Sequence, residues 1–296
     1  RNQDRLYRGG RRHRFAAAHV AAPNVSPADL SAPDIASADI AAALDTAASI
    51  EAAYGDLAVL VAVARAQAEA GEQVVERAEA AKADCFFFGG SLISGIGFSE
   101  KLQQLKQLTS LPVIIFPGSI LQIDGSADAI LLLSLISGRN PDLLIGKHVE
   151  AAPALVESGL EILPTGYLLI DGGAPTTVSY MSGSLPIPSD KPEIAACTAL
   201  AGEMLGLKLI YLDAGSGAKR AVSPAVITQV RERVNCPVIV GGGITAPDMA
   251  FQAAEAGADI VVVGNVFEST PDLIFNMSDA VHAASESSSK LNPLER

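Results

Sequence analysis

The chain has 296 residues, of which 49% are hydrophobic, so it can bury one large core and is too apolar to be disordered throughout. Its net charge of −12 argues against a nucleic-acid binder, because that class of protein needs clustered Lys and Arg. No apolar run reaches the ~18 residues that span a bilayer, so a membrane-derived substrate would have to be met from the surface. The three cysteines form no CxxC pair, and we expect thiols of a cytoplasmic protein rather than disulfides.

The first 37 residues differ from the rest of the chain. Six arginines lie between Arg1 and Arg14, and an Ala-, Pro- and Ser-rich stretch with three prolines follows. Because prolines interrupt helices and no apolar periodicity is present, we predict a flexible extension over residues 1–37. It could be a targeting peptide, a basic contact to anionic lipid or a solvated tail. A barrel domain over residues 38–285 and a short tail over 286–296 complete the predicted organisation.

A regular alternation of apolar runs and helical stretches begins after this extension. An alanine-rich helix is predicted over Asp39–Tyr54. The predicted strands are Leu57–Val63, Asp84–Phe88, Pro112–Phe116, Ala129–Leu135, Gly166–Ile170, Lys208–Leu212, Pro237–Val240 and Asp259–Val263. The predicted helices between them are Gln67–Lys82, Lys101–Leu108, Lys147–Glu157, Pro192–Leu205, Pro224–Val234 and Pro247–Ala256. Eight fully apolar strands alternating with helices favour an α/β fold, a (β/α)₈ TIM barrel.

The third helix position is an exception to this alternation. The segment between Phe116 and Ala129, PGSILQIDGSAD, is too short and too rich in glycine for a packed helix. We therefore predict that a loop or short strand replaces the third helix. The gap should expose an apolar slot on the flank of the barrel.

The last two strands end in glycines where this fold commonly binds phosphate. Gly241, Gly242 and Gly243 follow strand seven, and Gly264 and Asn265 follow strand eight. Glycines let backbone N–H groups approach phosphate oxygens, and a following helix N-terminus adds positive charge. The alternative is that these glycines serve only tight turns between strand and helix.

Strand six ends with two polar residues in alternation. Tyr211 and Asp213 flank Leu212, so both should point into the barrel mouth. An aspartate there can accept the proton of a hydroxyl nucleophile, while Ser216 and the loop amides hold phosphate. The alternative is that Asp213 only caps the loop that follows it.

Several segments together carry a resemblance to a known family. They are FFFGGSLI, FPGSILQIDGSADAILLLSLISGRNPDLLIGKHVEAA, PTGYLLIDGGAPTTVSYMS, IPSDKPEIAACTALAGEMLGLKLIYLDAGSGA, PVIVGGGI and GADIVVVGN. In this combination, from about Leu57 to Glu268, the chain resembles the geranylgeranylglyceryl phosphate synthases, in particular the group of some bacteria and many archaea. The resemblance implies a phosphoglycerol geranylgeranyltransferase of phospholipid biosynthesis, which uses Mg²⁺ and forms homo-oligomers.

The resemblance also implies roles for individual residues. The prenyl chain of the diphosphate substrate would occupy the flank slot, and Mg²⁺ would neutralise the departing diphosphate. Tyr211 and Asp213 would be catalytic, Ser91 would contact the metal and Arg65 would contact phosphate. The residues implied to hold glycerol 1-phosphate are Tyr211, Leu212, Asp213, Ala214, Gly215, Ser216, Gly217, Gly242, Gly243, Gly264 and Asn265.

Strand one departs from the pattern of the family. Family members typically have Ile-Asp-Pro-Asp-Lys there, whereas this chain has Val61, Ala62, Val63, Ala64 and Arg65. Both carboxylates are thus replaced by alanine, and the lysine by arginine. Asp213 also stands where a glutamate is usual.

Three hypotheses follow from these departures. The first is a prenyltransferase with weakened metal binding. The second is a non-catalytic relative that binds phosphate ligands. The third is an enzyme of the same class that transfers the prenyl group to 3-phosphoglycerate. A peripheral contact with a membrane would be compatible with any prenyl substrate.

Two further polar residues lie near the predicted mouth. His148 opens a helix, and a capping or packing role is expected because no carboxylate partner is fixed by the sequence. Arg139 follows strand four, where it could meet diphosphate or belong to a surface turn.

Overall fold

The computed structural model describes the backbone of residues 59–65, 71–90 and 97–291, and the side chains of residues 72–90 and 97–284. The predicted extension over residues 1–37 and the predicted helix Asp39–Tyr54 lie outside the described residues. Eight parallel strands form a closed barrel in chain order. They are β1 (Val59–Arg65), β2 (Cys85–Gly90), β3 (Val113–Pro117), β4 (Ala129–Leu135), β5 (Glu161–Leu169), β6 (Leu209–Asp213), β7 (Val238–Gly241) and β8 (Ile260–Val263).

The barrel closes because the first strand pairs with the last. Val59 and Ala62 of β1 lie opposite Ile260 and Val263 of β8, and the other edge of β1 pairs with β2. Every strand therefore has two neighbours, which leaves no sheet edge. The predicted eight-stranded barrel is confirmed.

Helices surround the barrel in the described part of the chain. They are α1 (Gly71–Ala80), α2 (Phe98–Leu108), α3 (Lys147–Ser158), α4 (Thr177–Ser182), α5 (Pro192–Met204), α6 (Pro224–Arg231), α7 (Pro247–Glu255), α8 (Asn265–Ser269) and α9 (Leu273–Leu291). Proline stands at the first position of α5, α6 and α7, where its missing N–H would have no helical partner anyway. No helix among those described is both long and apolar enough to cross a lipid bilayer.

Two hydrophobic layers follow from the alternation of side chains along the strands. The outer layer lies between the strands and helices and contains Phe86, Leu168, Leu212 and Val240. The inner layer fills the barrel and contains residues of opposite parity, namely Cys85, Phe87, Ala129, Leu131, Leu135, Leu163, Tyr167, Leu169, Leu209, Tyr211, Ile239, Ile260 and Val262. The barrel is therefore a packed core and not a channel.

The third helix is absent, as the glycine-rich segment predicts. Between β3 and β4 the chain forms only a single 3₁₀ turn over Ile120–Gln122, which Ser119 caps by accepting a hydrogen bond from the Leu121 N–H at 3.2 Å. One turn cannot cover the outer face of two strands. Consequently the middle of β4, from Leu132 to Ser134, is only half-buried.

Several element boundaries differ from the prediction. β5 begins at Glu161 and not at Gly166, because Pro164 lies within the strand opposite Leu132 and still accepts a hydrogen bond from the Lys208 N–H at 2.8 Å. The sequence pattern also missed the helices α4, α8 and α9. The last of these extends to Leu291 and therefore passes residue 285.

Candidate active site

A buried carboxylate lies at the mouth of the barrel. Asp213 ends β6 and is 6% exposed. The hydroxyl of Tyr167, which faces it from β5, donates a hydrogen bond to Oδ2. The Gly215 N–H donates to Oδ1 at 2.7 Å. Tyr211 belongs to the inner layer of the barrel, so it shares the inward face with Asp213 as the alternation predicts.

Burial controls the protonation of this group. Desolvation raises the pKa of Asp213, whereas the hydrogen bonds from Tyr167 and Gly215 act in the opposite direction and lower it. The pKa values of Tyr167 and Tyr211 are raised well above their ordinary value, by burial first and by the negative charge of Asp213 second. Both phenols therefore remain neutral hydrogen-bond donors, and Asp213 is the group that can exchange a proton.

The glycines after β7 pack directly against the end of β6. Gly242 has φ +80°, and a Cβ atom there would lie 2.5 Å from both Asp213 Oδ1 and the Gly215 nitrogen. Gly243 has φ +73°, and its Cβ would lie 2.8 Å from the backbone carbonyl of Arg220. Only glycine satisfies both the backbone angle and the close approach. The turn thus brings its backbone amides beside the Asp213 carboxylate.

The end of β8 joins the same cluster. Gly264 precedes α8, whose first residue is Asn265. The Ser216 hydroxyl lies 3.3 Å from Asn265 Nδ2 and 3.4 Å from Asn265 Oδ1. The structure therefore brings together the predicted residues of strands six, seven and eight, which are Tyr211, Leu212, Asp213, Ala214, Gly215, Ser216, Gly217, Gly242, Gly243, Gly264 and Asn265.

The predicted residues of strands one and two are described only in part. Arg65 ends β1 opposite Gly89 of β2, so its backbone lies at the carboxyl edge of the barrel. Ala62 pairs with Phe86 on one side and Val263 on the other. Ser91, the predicted metal contact, lies outside the described residues.

An apolar groove of about 540 Å³ opens on the flank of the barrel where the third helix is absent. Its floor is formed by β3 and β4, and α3 and α4 form its far wall. Its lining includes Phe116, Ile120, Leu121, Ile123, Ile130, Leu131, Leu132, Leu133, Leu135, Leu143, Ala151, Leu155, Tyr167, Val178 and Met181. The slot that the short β3–β4 connection predicts is therefore present.

Aromatic rings connect this groove to Asp213. Phe116 and Tyr167 line the groove, and their ring centroids are 6.1 Å apart. Both lie 5.4 Å from the ring of Tyr211. Tyr167 was not among the predicted site residues, although its place opposite Tyr211 in the β5–β6 register puts it on the same inward face. Tyr167 touches both the groove and the carboxylate, so it lies between the two halves of the site.

The two remaining polar residues have local partners. His148 lines the groove, and its Nε2 lies 3.2 Å from the Ser134 hydroxyl. Burial lowers the pKa of His148 in spite of the neighbouring Leu133 and Ile145 backbone, so the ring is neutral. Arg139 donates to the Gly138 carbonyl at 2.7 Å and stabilises the turn after β4.

Comparison with known proteins places this geometry in a family. Residues 64–284 match the model of the PcrB family. The chain belongs to the PcrB family. The resemblance inferred from the sequence is thereby confirmed, and the matched span includes the whole of the mouth cluster and the groove.

Two similar curated relatives and one similar solved structure are geranylgeranylglyceryl phosphate synthases. The geranylgeranylglyceryl phosphate synthase of Spirosoma linguale is 54% identical over 230 residues, which cover 78% of this chain and 92% of the relative. That of Chitinophaga pinensis is 57% identical over 205 residues, covering 69% and 81%. The crystal structure of (S)-3-O-geranylgeranylglyceryl phosphate synthase from Thermoplasma acidophilum, in complex with its substrate sn-glycerol-1-phosphate, superposes with a TM-score of 0.75 at 32% identity, covering 80% of this chain and 98% of that one.

Proposed function

We propose that the chain is a cytoplasmic prenyltransferase that joins geranylgeranyl diphosphate, or a similar long prenyl diphosphate, to sn-glycerol 1-phosphate. The product is the ether lipid precursor geranylgeranylglyceryl phosphate. The observation that carries the proposal is the junction of an apolar groove with a buried carboxylate and a glycine-rich cradle, through Tyr167. The names of the close relatives and the glycerol 1-phosphate complex of the Thermoplasma acidophilum enzyme support it.

The acceptor half of the site is the cluster at the ends of β6, β7 and β8. Backbone amides in the turns at Gly242 and Gly264 are suited to phosphate oxygens, because glycine allows close approach and amides carry partial positive charge. A glycerol phosphate held there presents its free hydroxyl towards Asp213. The raised pKa of Asp213 makes it a stronger base than an ordinary aspartate, provided that it is ionised.

The donor half is the flank groove. The prenyl chain lies against β3 and β4, and its first carbon reaches the aromatic rings of Phe116, Tyr167 and Tyr211. The glycerol oxygen forms a bond to this carbon, the bond to the diphosphate oxygen breaks, and Asp213 accepts the hydroxyl proton. Electron-rich ring faces stabilise the positive charge that develops on the allylic carbon.

The described side chains do not fit a Mg²⁺ site held by the protein alone. No group of three or more His, Cys, Asp or Glu side chains lies together in the part of the chain that the structure describes. The alanines at positions 62 and 64 offer no oxygen ligand, and Asp213 is already bonded to Tyr167 and Gly215. We therefore propose Mg²⁺ only as an ion that arrives with the diphosphate, and no step above depends on it.

A second candidate function is non-catalytic binding of phosphate ligands. The observation in its favour is the combination of an intact glycine cradle with Ala62 and Ala64 on β1. In that case the chain would bind glycerol 1-phosphate and form no ether product.

The test uses the full chain with geranylgeranyl diphosphate, glycerol 1-phosphate and a Mg²⁺ titration, and follows the ether product by mass spectrometry. A parallel sample carries Ala62→Asp, which adds a carboxylate on β1, and a matched control carries Ala201→Asp, at an exposed position near the C-terminal end of α5. We expect product from the unmodified chain and a lower Mg²⁺ requirement for Ala62→Asp.

Each other outcome of this test has a definite meaning. Product from Ala62→Asp alone would support the phosphate-binding relative. Absence of product from both, with glycerol 1-phosphate binding retained, would contradict prenyl transfer to this acceptor. A further reaction with 3-phosphoglycerate then tests the remaining acceptor.

A further inference from the structure

A buried glutamine ties together two segments that are distant in the chain. Gln122 ends the 3₁₀ turn between β3 and β4 and is only 4% exposed. Its Oε1 accepts a hydrogen bond from the Gly118 N–H at 3.0 Å. Its Nε2 donates to the carbonyl of Gly90, the last residue of β2, at 3.2 Å. Both ends of the side-chain amide therefore have defined roles.

The end of β2 is shaped to meet this side chain. Gly89 and Gly90 have φ +145° and +152°, a region that L side chains rarely adopt. A Cβ atom on Gly89 would lie 2.3 Å from the Phe116 carbonyl oxygen and 3.2 Å from Gln122 Oε1. The two glycines thus let the end of β2 lie against the end of β3 and against the glutamine amide.

The two segments that Gln122 joins belong to different parts of the proposed site. Its neighbours Ile120, Leu121 and Ile123 line the flank groove. Gly90 directly precedes Ser91 in the sequence and lies on the strand next to β1, at the carboxyl edge of the barrel. The glycerol phosphate cradle is built from β6, β7 and β8, whereas the side-chain hydrogen bonds of Gln122 within the described residues go to Gly118 and Gly90.

We propose that Gln122 is a positioning residue that couples the wall of the groove to the end of β2, on the side where the diphosphate of the prenyl substrate would lie. The inference rests on the proposed function, because it assigns Gln122 to the donor half of that site. A prenyl chain in the groove contacts the 3₁₀ turn. Because Gln122 joins this turn to the Gly90 carbonyl, the position of the turn also determines the position of the end of β2. Loading of the donor, but not of the acceptor, depends on this side chain.

The test separates the two hydrogen bonds of Gln122. Gln122→Met keeps the length of the side chain and removes both bonds. Gln122→Glu keeps an acceptor for Gly118 and places a carboxylate oxygen against the Gly90 carbonyl. Gln107→Met, at an exposed position of α2, is the matched control. Steady-state kinetics with each substrate varied in turn, calorimetric titration with geranylgeranyl diphosphate, and thermal unfolding are measured for every variant.

We expect both Gln122 variants to raise the KM for prenyl diphosphate, and to weaken its calorimetric binding, by about 10- to 100-fold, the order of magnitude for leaving a buried hydrogen-bonding group without its partner. The KM for glycerol 1-phosphate should stay within about twofold, because the acceptor cradle is separate. A purely structural role would instead affect both substrates together with the unfolding temperature.

Three results would overturn the inference while leaving the proposed function intact. In the first, wild type is active and Gln122→Met matches it. In the second, the KM of the acceptor rises as much as that of the donor. In the third, Gln122→Glu behaves as wild type, so that the bond to Gly90 is irrelevant. If wild type forms no product but binds the diphosphate, the calorimetric comparison still decides about Gln122. Absence of both product and diphosphate binding in wild type overturns the proposed function and this inference together.

Discussion

The contact between Tyr167 and Asp213 joins a neutral phenol to a carboxylate inside the barrel. Burial alone would make Asp213 hold its proton and so be useless as a base, since desolvation disfavours its charged form. The hydroxyl of Tyr167 and the N–H of Gly215 each donate to the ionised carboxylate and lower its pKa again. The reactivity of Asp213 is therefore a balance between its burial and its two donors.

Replacing Tyr167 by phenylalanine should shift the pH dependence of the reaction. The change keeps the ring and removes the donor that lowers the pKa of Asp213, so that pKa rises further. As the pH falls, the basic form of Asp213 is then lost at a higher pH, and the acidic limb of kcat/KM moves upward. The profile is measured from roughly pH 5 to 9, so that the acidic limbs of wild type and variant are compared under the same conditions. Tyr180→Phe, at an exposed position, is the control, and an acidic limb that stays in place or moves downward would contradict the assignment of Asp213 as the base.

At the scale of elements, the turn after β7 requires glycine for two reasons, the positive φ angle of Gly242 and its close approach to Asp213 and Gly215. Gly242→Ala should lower the free energy of unfolding by about 1–3 kcal/mol, because its Cβ must displace Asp213 or the Gly215 backbone. The KM for glycerol 1-phosphate should rise at the same time.

The control for this change is Gly206→Ala, after α5. Gly206 also has a positive φ, +91°, but its Cβ would meet nothing within 4 Å. Gly206→Ala should lower the free energy of unfolding by about 1–2 kcal/mol through the backbone angle alone, and it should leave the KM for glycerol 1-phosphate unchanged. Denaturant unfolding and acceptor kinetics measure both effects, and equal kinetic losses in the two variants would argue against a cradle at Gly242.

The sequence could predict the elements whose local pattern is complete. β4 begins and ends as its apolar run indicates, and the absent third helix follows from a glycine-rich segment. β5 could not be placed correctly, because pairing with β4 overrides the local preference of Pro164. In α9, the buried residues Ile274, Met277 and Val281 recur at helical spacing, so the sequence also contains a signal for this helix.

The residues of the site also fall into those that the sequence could predict and those that it could not. The ends of β6, β7 and β8 were predictable because parallel strands of a barrel bring their carboxyl ends to one mouth. Tyr167 and Gln122 were not, since each acts through a partner far along the chain, 46 residues away at Asp213 and 32 residues away at Gly90. No short sequence window contains both members of either pair.

At the scale of the whole molecule, the length of the groove should set the length of the prenyl chain. Ala151 of α3 lines the groove and is 6% exposed, so Ala151→Phe shortens the space available to a tail. We expect the preference for geranylgeranyl over farnesyl diphosphate to fall by about tenfold or more, since an overpacked apolar site costs on the order of 1–3 kcal/mol. Competition between the two diphosphates, followed by mass spectrometry, measures the ratio.

A matched control for the groove lies on the same helix. Val156 is 79% exposed and absent from the groove lining, so Val156→Phe adds the same ring on the outer face of α3. Its product ratio should equal that of wild type. An unchanged ratio in Ala151→Phe would mean that the tail lies elsewhere.

The missing third helix has a last consequence for the release of product. A hydrocarbon tail in the groove covers β3 and β4, in the position where a helix covers the other strands of the barrel. The protein with bound substrate therefore has a complete outer apolar layer, which the protein without substrate lacks. Each methylene that leaves this layer for water costs about 0.8 kcal/mol, and the ether product has the same tail as the substrate. Dissociation of the ether product into water is therefore slow. An apolar phase that accepts the tail, such as a bilayer or a micelle, shortens the time for which the product stays bound. On this proposed function, the turnover of the enzyme is governed by the lipid around it as much as by the chemistry inside the barrel.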